Sequence, residues 1–328
     1  MIMKRAKGGP IPTQDSPRGN IQVNAFSVNK PVAFLVFNRP ETTARVFEAI
    51  RQARPPILLV VADGPRTDKP GETERCVAVR AIVDRVDWPC EVLKNYSDTN
   101  LGCKRRVSSG LNWVFETVEE AIILEDDCLP HPTFFRFCEE LLDRYRDDER
   151  VAMISGDNFQ FGKQRTEYSY YFSIYPHIWG WASWRRVWRN YDVCISKWPA
   201  IRDEDWLFDQ SGDRRMARYW ANIFQRTYTD KIDTWDYQLV FSVWINHGIN
   251  ILPNVNLVSN IGFGAAATRT RGNSILNGLE VKSMEFPLRH PPHMIPDRRA
   301  DRNEFDTMFR PSMIGRIKYL RGGKKKNS

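Results

Sequence analysis

The sequence lacks several features that would assign it directly to a common class of protein. No run of about 18 uninterrupted apolar residues occurs, which excludes a segment able to cross a bilayer as a helix. No Cys-X-X-Cys pair occurs, so the sequence lacks the paired-cysteine pattern of a structural zinc site. The Gly-rich phosphate-binding loop and a GxGxxG motif after a strand are missing as well.

The composition excludes other classes and sets the expected compartment. Hydrophobic residues make up 42% and charged residues 27% of the 328 residues, which excludes a mostly disordered chain. Residues 1–23 are basic and polar without an apolar segment, so we expect no secretory signal and a cytoplasmic protein. The six cysteines are therefore expected to be free thiols.

The charge balance is basic, with 48 Lys and Arg against 40 Asp and Glu, a net charge of +8. Such a chain can meet nucleic acid, an anionic membrane or phosphorylated substrates. The basic residues are mostly paired with acidic ones along the sequence, which argues against nucleic acid. The run 324–326 is either a solvated tail or a weak contact with the inner face of the membrane.

Apolar runs alternate with helical patterns from residue 31 onwards. The runs at 32–37, 57–62, 121–124 and 151–155 predict strands buried on both faces. Between them, apolar residues recur at helical spacing. Strands that alternate with helices in this way form parallel sheets, so the sequence predicts an α/β fold.

Polar residues follow three of the predicted strands, at Asn38-Arg39, Asp63-Gly64 and Glu125-Asp126-Asp127. Ligands of an open parallel sheet bind beyond the carboxyl ends of its strands. Successive carboxylates at one strand end repel each other, and a divalent cation relieves this repulsion. Mg²⁺ or Mn²⁺ binds one or two carboxylates together with phosphate oxygens and water. The alternative is an acidic loop above a sheet.

A basic cluster at 104–106 follows Asn100 and Gly102, at the predicted start of a helix. Exposed N–H groups at a helix start attract anions, so Lys104 is a candidate phosphate-binding residue. A solvent-facing basic turn explains the same residues equally well.

Asp236 lies in the first turn of another predicted helix. The helix dipole keeps a first-turn carboxylate ionised, and an ionised carboxylate in a cleft can act as a general base. An aspartate at this position is also ordinary helix chemistry, so the pattern alone leaves both interpretations open.

Aromatic residues crowd the segment 168–198, and we expect most of them in the core. Trp179 and Trp181, on either side of Gly180, are the candidates for an exposed platform that stacks on sugar rings. Together with Trp235 they are the predicted acceptor-binding residues.

Eight short segments occur in an order that resembles bacterial-type nucleotide-diphospho-sugar transferases with the GT-A fold. They are FNRPE at 37–41, VADGPR at 61–66, DTNLGCKRRVSSGL at 98–111, ILEDDCLPHPTFF at 123–135, ISGDNFQ at 154–160, HIWGWASWRRVW at 177–188, IDTWDYQ at 232–238 and LPNVNLVSNIGFG at 252–264. The set is more distantly similar to the Golgi N-acetylglucosaminyltransferase that starts hybrid N-glycans, which is inverting and also uses a Glu-Asp-Asp triplet.

The resemblance implies a Rossmann-like, mostly parallel sheet flanked by helices, with a smaller acceptor-side region. It also implies a nucleotide-sugar-binding half at 30–160 and an acceptor-binding and catalytic half at 161–286. The composition of the flanking segments predicts a flexible leader at 1–29 and an irregular basic tail at 287–328.

The resemblance further implies a role for each matched residue. The nucleotide sugar would contact Asn38, Arg39, Asp63, Asn100, Gly102, Lys104, Glu125 and Asp126. Asp127 would bind a divalent cation, Mn²⁺ or Mg²⁺, that bridges the diphosphate, and Asp236 would be the catalytic base. Similar proteins often have histidine where this chain has Arg269, which would bind the departing diphosphate instead of a metal. The loop 262–274 would close over the donor.

The implied activity is an inverting, metal-assisted transfer of a hexosyl or N-acetylhexosaminyl group from a nucleotide-diphosphate-sugar donor. The acceptor is a hydroxyl of a glycan, a lipid-linked molecule or a protein, as in polysaccharide biosynthesis. The alternative is a non-catalytic protein of the same fold that binds nucleotide sugars or glycans. We expect no nucleic-acid partner.

Overall fold

A computed structural model describes residues 26–263, 276 and 278–309. Within these residues, eight strands form a central sheet and two form a small second sheet. The strands are β1 Val32–Val36, β2 Ile57–Ala62, β3 Glu91–Tyr96, β4 Glu120–Glu125, β5 Cys128–Pro130, β6 Val151–Ser155, β7 Tyr170–Ser173, β8 Trp181–Trp184, β9 Ile249–Pro253 and β10 Val258–Asn260.

Helices connect and cover these strands. They are α1 Pro40–Ala53, α2 Glu72–Val83, α3 Gly102–Thr117, α4 Thr133–Arg144, α5 Arg185–Trp188, α6 Trp198–Ile201, α7 Trp206–Ser211, α8 Arg214–Tyr228, α9 Asp236–Ile245 and α10 Arg298–Glu304, which continues into a π-helical turn at Phe305–Phe309. None of the helices in the described ranges is long and apolar enough to cross a bilayer.

The central sheet has the strand order β3-β2-β1-β4-β8-β6-β9-β7. The first four strands are parallel to one another. Strand β8 runs antiparallel to both of its neighbours, β9 is parallel to β6, and β7 is antiparallel to β9. Six of the eight strands therefore point the same way, which confirms the expected α/β fold with a mostly parallel sheet.

Hydrophobic cores lie on both faces of the sheet, because successive residues of a strand point to opposite sides. In β1, Phe34 and Val36 pack in one core with residues of α1, α2 and α4. Ala33 and Leu35 pack in the other core with residues of α3, α8 and α9. Full burial of each large apolar side chain contributes about 1.5–3 kcal/mol to stability. The two cores hold the carboxyl ends of the parallel strands in fixed register.

The segment beyond Pro287 was expected to be irregular, and this expectation is wrong for residues 298–309. Glu304, at the end of α10, contacts buried His177 Nε2 at 2.7 Å, and Asp157 contacts its Nδ1 at 2.7 Å. Burial lowers the pKa of His177, but the charges of Glu304 and Asp157 outweigh this effect and raise the pKa to about 10. A buried charge cluster thus fixes α10 to the segments that follow β6 and β7.

Candidate functional site

A cleft with a volume of ≈ 620 Å³ opens at the carboxyl ends of β1, β2 and β4. These strands are neighbours in the sheet, so the polar residues that follow them meet at one edge, as the sequence predicted. The predicted site residues that line this cleft are Arg39, Asp63, Asn100, Gly102, Glu125, Asp126, Asp127, Trp179, Trp235 and Asp236.

The acidic triplet forms the floor of the cleft. Glu125 ends β4, and Asp126 and Asp127 lie in the turn before β5. Arg39 bridges the two aspartates: its Nη2 lies 3.0 Å from Asp126 Oδ1, and its Nη1 donates to Asp127 Oδ2 at 2.7 Å. The backbone N–H of Phe37 donates to the other oxygen of Asp126 at 3.1 Å. The two aspartates therefore share one internal cation.

Burial and mutual repulsion hold part of the triplet protonated near neutral pH. Burial, followed by the charges of Asp127 and Asp126, raises the pKa of Glu125 to about 8, and the charge of Asp236 adds to this effect. Burial also raises the pKa of Asp126 to about 7, although Arg39 opposes the shift. A cation that enters the cleft would favour the ionised forms of these carboxyl groups.

Gly262 lies directly against the ion pair of Arg39 and Asp127. A Cβ at this position would lie 2.2 Å from Asp127 Oδ2 and 2.6 Å from Arg39 Nη1. The backbone N–H of the preceding residue, Ile261, donates to the carbonyl of Asp127 at 2.8 Å. Only glycine fits without moving the ion pair. The resemblance places this residue in the loop 262–274 but implies no contact with the triplet.

Asp63 holds the loop that joins β3 to α3. Its Oδ1 accepts the backbone N–H groups of Gly64 and Leu101, both at 2.9 Å, and its Oδ2 accepts Asn100 Nδ2 and the N–H of Gly102, both at 3.1 Å. These four bonds use the full acceptor capacity of a carboxylate. The contact with a nucleotide base that the resemblance implies for Asp63 stays a prediction.

Two predicted ligand-binding residues do not line the cleft. Asn38 is buried and donates to Glu72 Oε1 at 2.8 Å, and Lys104 pairs with Asp230 at 2.8 Å. Their partners lie 34 and 126 positions away in the sequence, so local patterns gave no sign of these contacts.

Two other arginines line the cleft instead: Arg66, for which the sequence predicted no role, and Arg106, which belongs to the predicted basic cluster 104–106. Arg66 pairs with buried Glu72. Arg106 donates to the carbonyl of Ala62 at 3.1 Å and to Asn95 Oδ1 at 2.7 Å. Both carry positive charge at the wall of a cleft whose floor is acidic.

Asp236 is the first residue of α9, and it faces the same cleft as the triplet. Its Oδ1 accepts the hydroxyl of Thr234 and, at 3.0 Å, the backbone N–H of Tyr237. Residues 238–244 of α9 are buried throughout, so the helix is fixed in the core. The carboxylate therefore projects from a rigid element.

The tryptophans differ from the predicted exposed platform. Trp181 is 1% exposed and lies 6.1 Å from the ring of Trp235, which is 2% exposed. An exposed platform at Trp181 is therefore wrong, because its ring packs in the core against Trp188 and Trp235. Trp179 is partly exposed, lines the cleft and contacts Phe263 at 5.7 Å between ring centroids. The acceptor contacts of all three tryptophans stay predictions.

Arg269 and most of the loop 262–274 lie outside the described residues, so their roles stay predictions. Among the described residues, no group of three or more His, Cys, Asp and Glu side chains could hold a metal ion by itself. The two aspartates bridged by Arg39 nevertheless fit Mg²⁺ or Mn²⁺, which bind few carboxylates when phosphate oxygens and water complete the shell.

No protein-family model and no curated protein matches the chain. Among solved structures, it is similar to a UDP-glucose pyrophosphorylase complexed with UDP-glucose, at 14% identity over 45% of this chain and 63% of that chain, with a TM-score of 0.26. The chain thus spans less than two thirds of that protein. It is also similar to the inositol-1-phosphate CTP transferase from T. maritima, at 7% identity over 49% of this chain and 74% of that chain, with a TM-score of 0.31.

A third similar structure is 4-diphosphocytidyl-2C-methyl-D-erythritol synthase from Anaerococcus prevotii DSM 20548, at 10% identity over 55% of this chain and 83% of that chain, with a TM-score of 0.31. Structural overlaps of this size assign neither a family nor a function.

The class of the protein rests on its own geometry: an α/β protein with a carboxylate-lined cleft at the carboxyl edge of a mostly parallel sheet.

Proposed function

We propose that the protein is a glycosyltransferase that moves a sugar from a nucleotide-diphosphate-sugar donor to an acceptor hydroxyl with inversion. One observation carries the proposal: the acidic triplet 125–127 and Asp236, more than a hundred positions apart, line a single cleft of ≈ 620 Å³. A volume of this size is in the range of small-molecule sites. The order of the eight segments that resemble GT-A transferases supports the same assignment.

The proposed reaction assigns Asp236 the role of general base. Its carboxylate takes the proton of the acceptor hydroxyl while that oxygen forms a bond to the anomeric carbon. The bond between the anomeric carbon and the diphosphate oxygen breaks on the opposite face, and the diphosphate leaves with the bonding electrons. The helix dipole at the start of α9 favours the ionised form of the base.

The departing diphosphate needs positive charge, and stabilisation of developing charge is usually the largest contribution to catalysis. Arg39 already lies at the acidic floor, and Arg66 and Arg106 line the wall. Lys104 would have to leave Asp230 to contribute. Mn²⁺ or Mg²⁺ held by Asp127 would supply further Lewis-acid stabilisation of the leaving group.

Substitution of Asp236 by asparagine tests the proposal. A thermal-shift screen of nucleotide sugars with Mn²⁺ first identifies the donor, because a ligand that binds the folded state raises its stability. We expect Asp236→Asn to keep donor affinity and to lose turnover by about two orders of magnitude or more, measured as release of nucleoside diphosphate.

Asp209→Asn is the control, because Asp209 is also a first-turn aspartate, and it lies exposed in α7, outside the cleft. It should retain wild-type turnover. Near-normal turnover of Asp236→Asn would reject Asp236 as the base. A wild-type protein that binds donors without releasing nucleoside diphosphate, even with mixed glycan acceptors, would instead favour the non-catalytic alternative.

A further inference from the structure

The two oxygens of the Asp236 carboxylate have different surroundings. Oδ1 accepts two hydrogen bonds, from the hydroxyl of Thr234 and from the N–H of Tyr237. Among the residues that the structure describes, no donor contacts Oδ2. The carboxylate thus has one restrained oxygen and one oxygen open to a ligand in the cleft.

Thr234 is itself held in place. It is 5% exposed, and its carbonyl accepts Gln238 Nε2 at 2.6 Å. Gln238 is 0% exposed and belongs to the buried part of α9. The backbone of Thr234 is thus fixed to the helix that carries Asp236, with its hydroxyl on the carboxylate.

We propose that Thr234 is the positioning residue of Asp236, an inference that rests on the proposed glycosyl transfer. Its hydrogen bond fixes the rotamer of the carboxylate and directs Oδ2 towards the acceptor hydroxyl. The proton of that hydroxyl passes to Oδ2, while Thr234 keeps its own proton throughout. In general, a hydroxyl that donates to a carboxylate favours the ionised form over the protonated form.

Three described titratable groups from other elements interact with the charge of Asp236. They are Glu125 at the end of β4, Tyr191 after α5 and Tyr219 on α8. Burial is the main cause that raises the pKa of both tyrosines, followed by the charge of Asp236 for Tyr191 and by Tyr237 and then Asp236 for Tyr219. Both tyrosines therefore stay neutral at working pH. These groups are the same in every variant below, so differences between variants report the hydroxyl of residue 234.

The test compares Thr234→Val, which removes the hydroxyl at nearly constant shape, with Thr234→Ser, which keeps it. Thr227→Val is the matched control, because Thr227 is 3% exposed and its hydroxyl has no hydrogen-bond partner among the described residues. A hydrogen bond to a charged group is worth about 1.5–3 kcal/mol, or roughly a factor of 10–100. We expect Thr234→Val to lower kcat about tenfold or more, with an unchanged donor KM.

Two pH readouts separate positioning from a merely structural role. The acid limb of the kcat profile should move to higher pH in Thr234→Val, and Thr234→Ser should restore the wild-type profile. The ¹³C carboxyl resonance of Asp236, assigned by its loss in Asp236→Asn, should titrate at higher pH in Thr234→Val than in wild type and in Thr227→Val.

The inference is overturned if Thr234→Val has the wild-type kcat, or if its Asp236 resonance titrates as in wild type. Failure of the proposed function has a different signature: the wild type then releases no nucleoside diphosphate from any donor. The ¹³C titration requires no turnover, so it decides the role of Thr234 in that case as well.

Discussion

At the scale of single residues, the charge of the cleft depends on Arg39. Its guanidinium contacts both Asp126 and Asp127, and the Arg39 side chain is largely shielded from solvent. A divalent cation on Asp127 would therefore compete with the guanidinium for the same oxygen, Oδ2. A diphosphate would relieve this competition by offering Arg39 a new anionic partner.

Arg39→Gln should therefore bind Mn²⁺ more tightly than wild type when no nucleotide is present. We expect a gain of about tenfold, which corresponds to about 1.4 kcal/mol, because the two aspartates lose their internal cation. The affinity for a nucleoside diphosphate should fall in the same variant. Isothermal titration calorimetry measures both affinities, with Arg51→Gln, a surface arginine paired with Asp87, as the control. Equal Mn²⁺ affinity of wild type and Arg39→Gln would contradict the competition.

Residue patterns predicted part of this site and missed the rest for a physical reason. The residues that follow strands include Arg39 and the triplet 125–127. Their place in the site was predicted because the strand order brings them to one edge of the sheet. The partner of a side chain such as Asn38 or Lys104 depends on tertiary packing, which no local pattern encodes. Gly262 was missed because a close approach to Asp127 is visible only in three dimensions.

At the scale of secondary-structure elements, α10 depends on charge rather than on apolar burial. Its sequence RRADRNE has no apolar stripe, and its buried residues include Asp301 and Glu304. The helix packs through the contact of Glu304 with His177. Hydrophobic periodicity therefore could not predict it, whereas β1, β2 and β6 were predicted within one or two residues from continuous apolar runs.

His177→Gln should destabilise the protein by about 3 kcal/mol or more at pH 6.5, because two buried carboxylates lose their shared cation. The pKa of His177 is raised on folding, so its contribution is complete below about pH 6.5, the ordinary value, and is lost as the pH rises through about 10. Urea unfolding at pH 6.5 and pH 10 measures this difference.

The difference in unfolding free energy between wild type and His177→Gln should therefore shrink as the pH rises from 6.5 to 10. Exposed His293→Gln serves as the control and should match wild type at both values. A difference that stays constant over this range would show that His177 is not charged in the folded protein.

At the scale of the whole molecule, one sheet joins the two halves that the resemblance implies. Strand β8, from the acceptor-side half 161–286, lies between β4 and β6 of the nucleotide-side half 30–160. The cleft likewise takes Arg39 and the triplet from one half and Asp236 from the other. The division into halves stays a proposal about function, and the site requires the complete sheet.

The structure contains other cavities of similar size, which makes the location of the donor the decisive question. One of ≈ 900 Å³ is lined by residues around Phe161 and Tyr168, and one of ≈ 700 Å³ by residues around Trp88 and Phe286. Neither is lined by the acidic triplet or by Asp236. A donor that acts as proposed must bind elsewhere, at the carboxyl edge of the sheet.

The most direct measurement is a crystal structure of the protein with Mn²⁺ and the nucleotide sugar selected by the thermal-shift screen. The proposal predicts that the diphosphate lies beside Arg39 and Asp127 and that the anomeric carbon faces the cleft side of Asp236. A donor bound in either of the other two cavities, or bound at the triplet with its sugar directed away from Asp236, would contradict it.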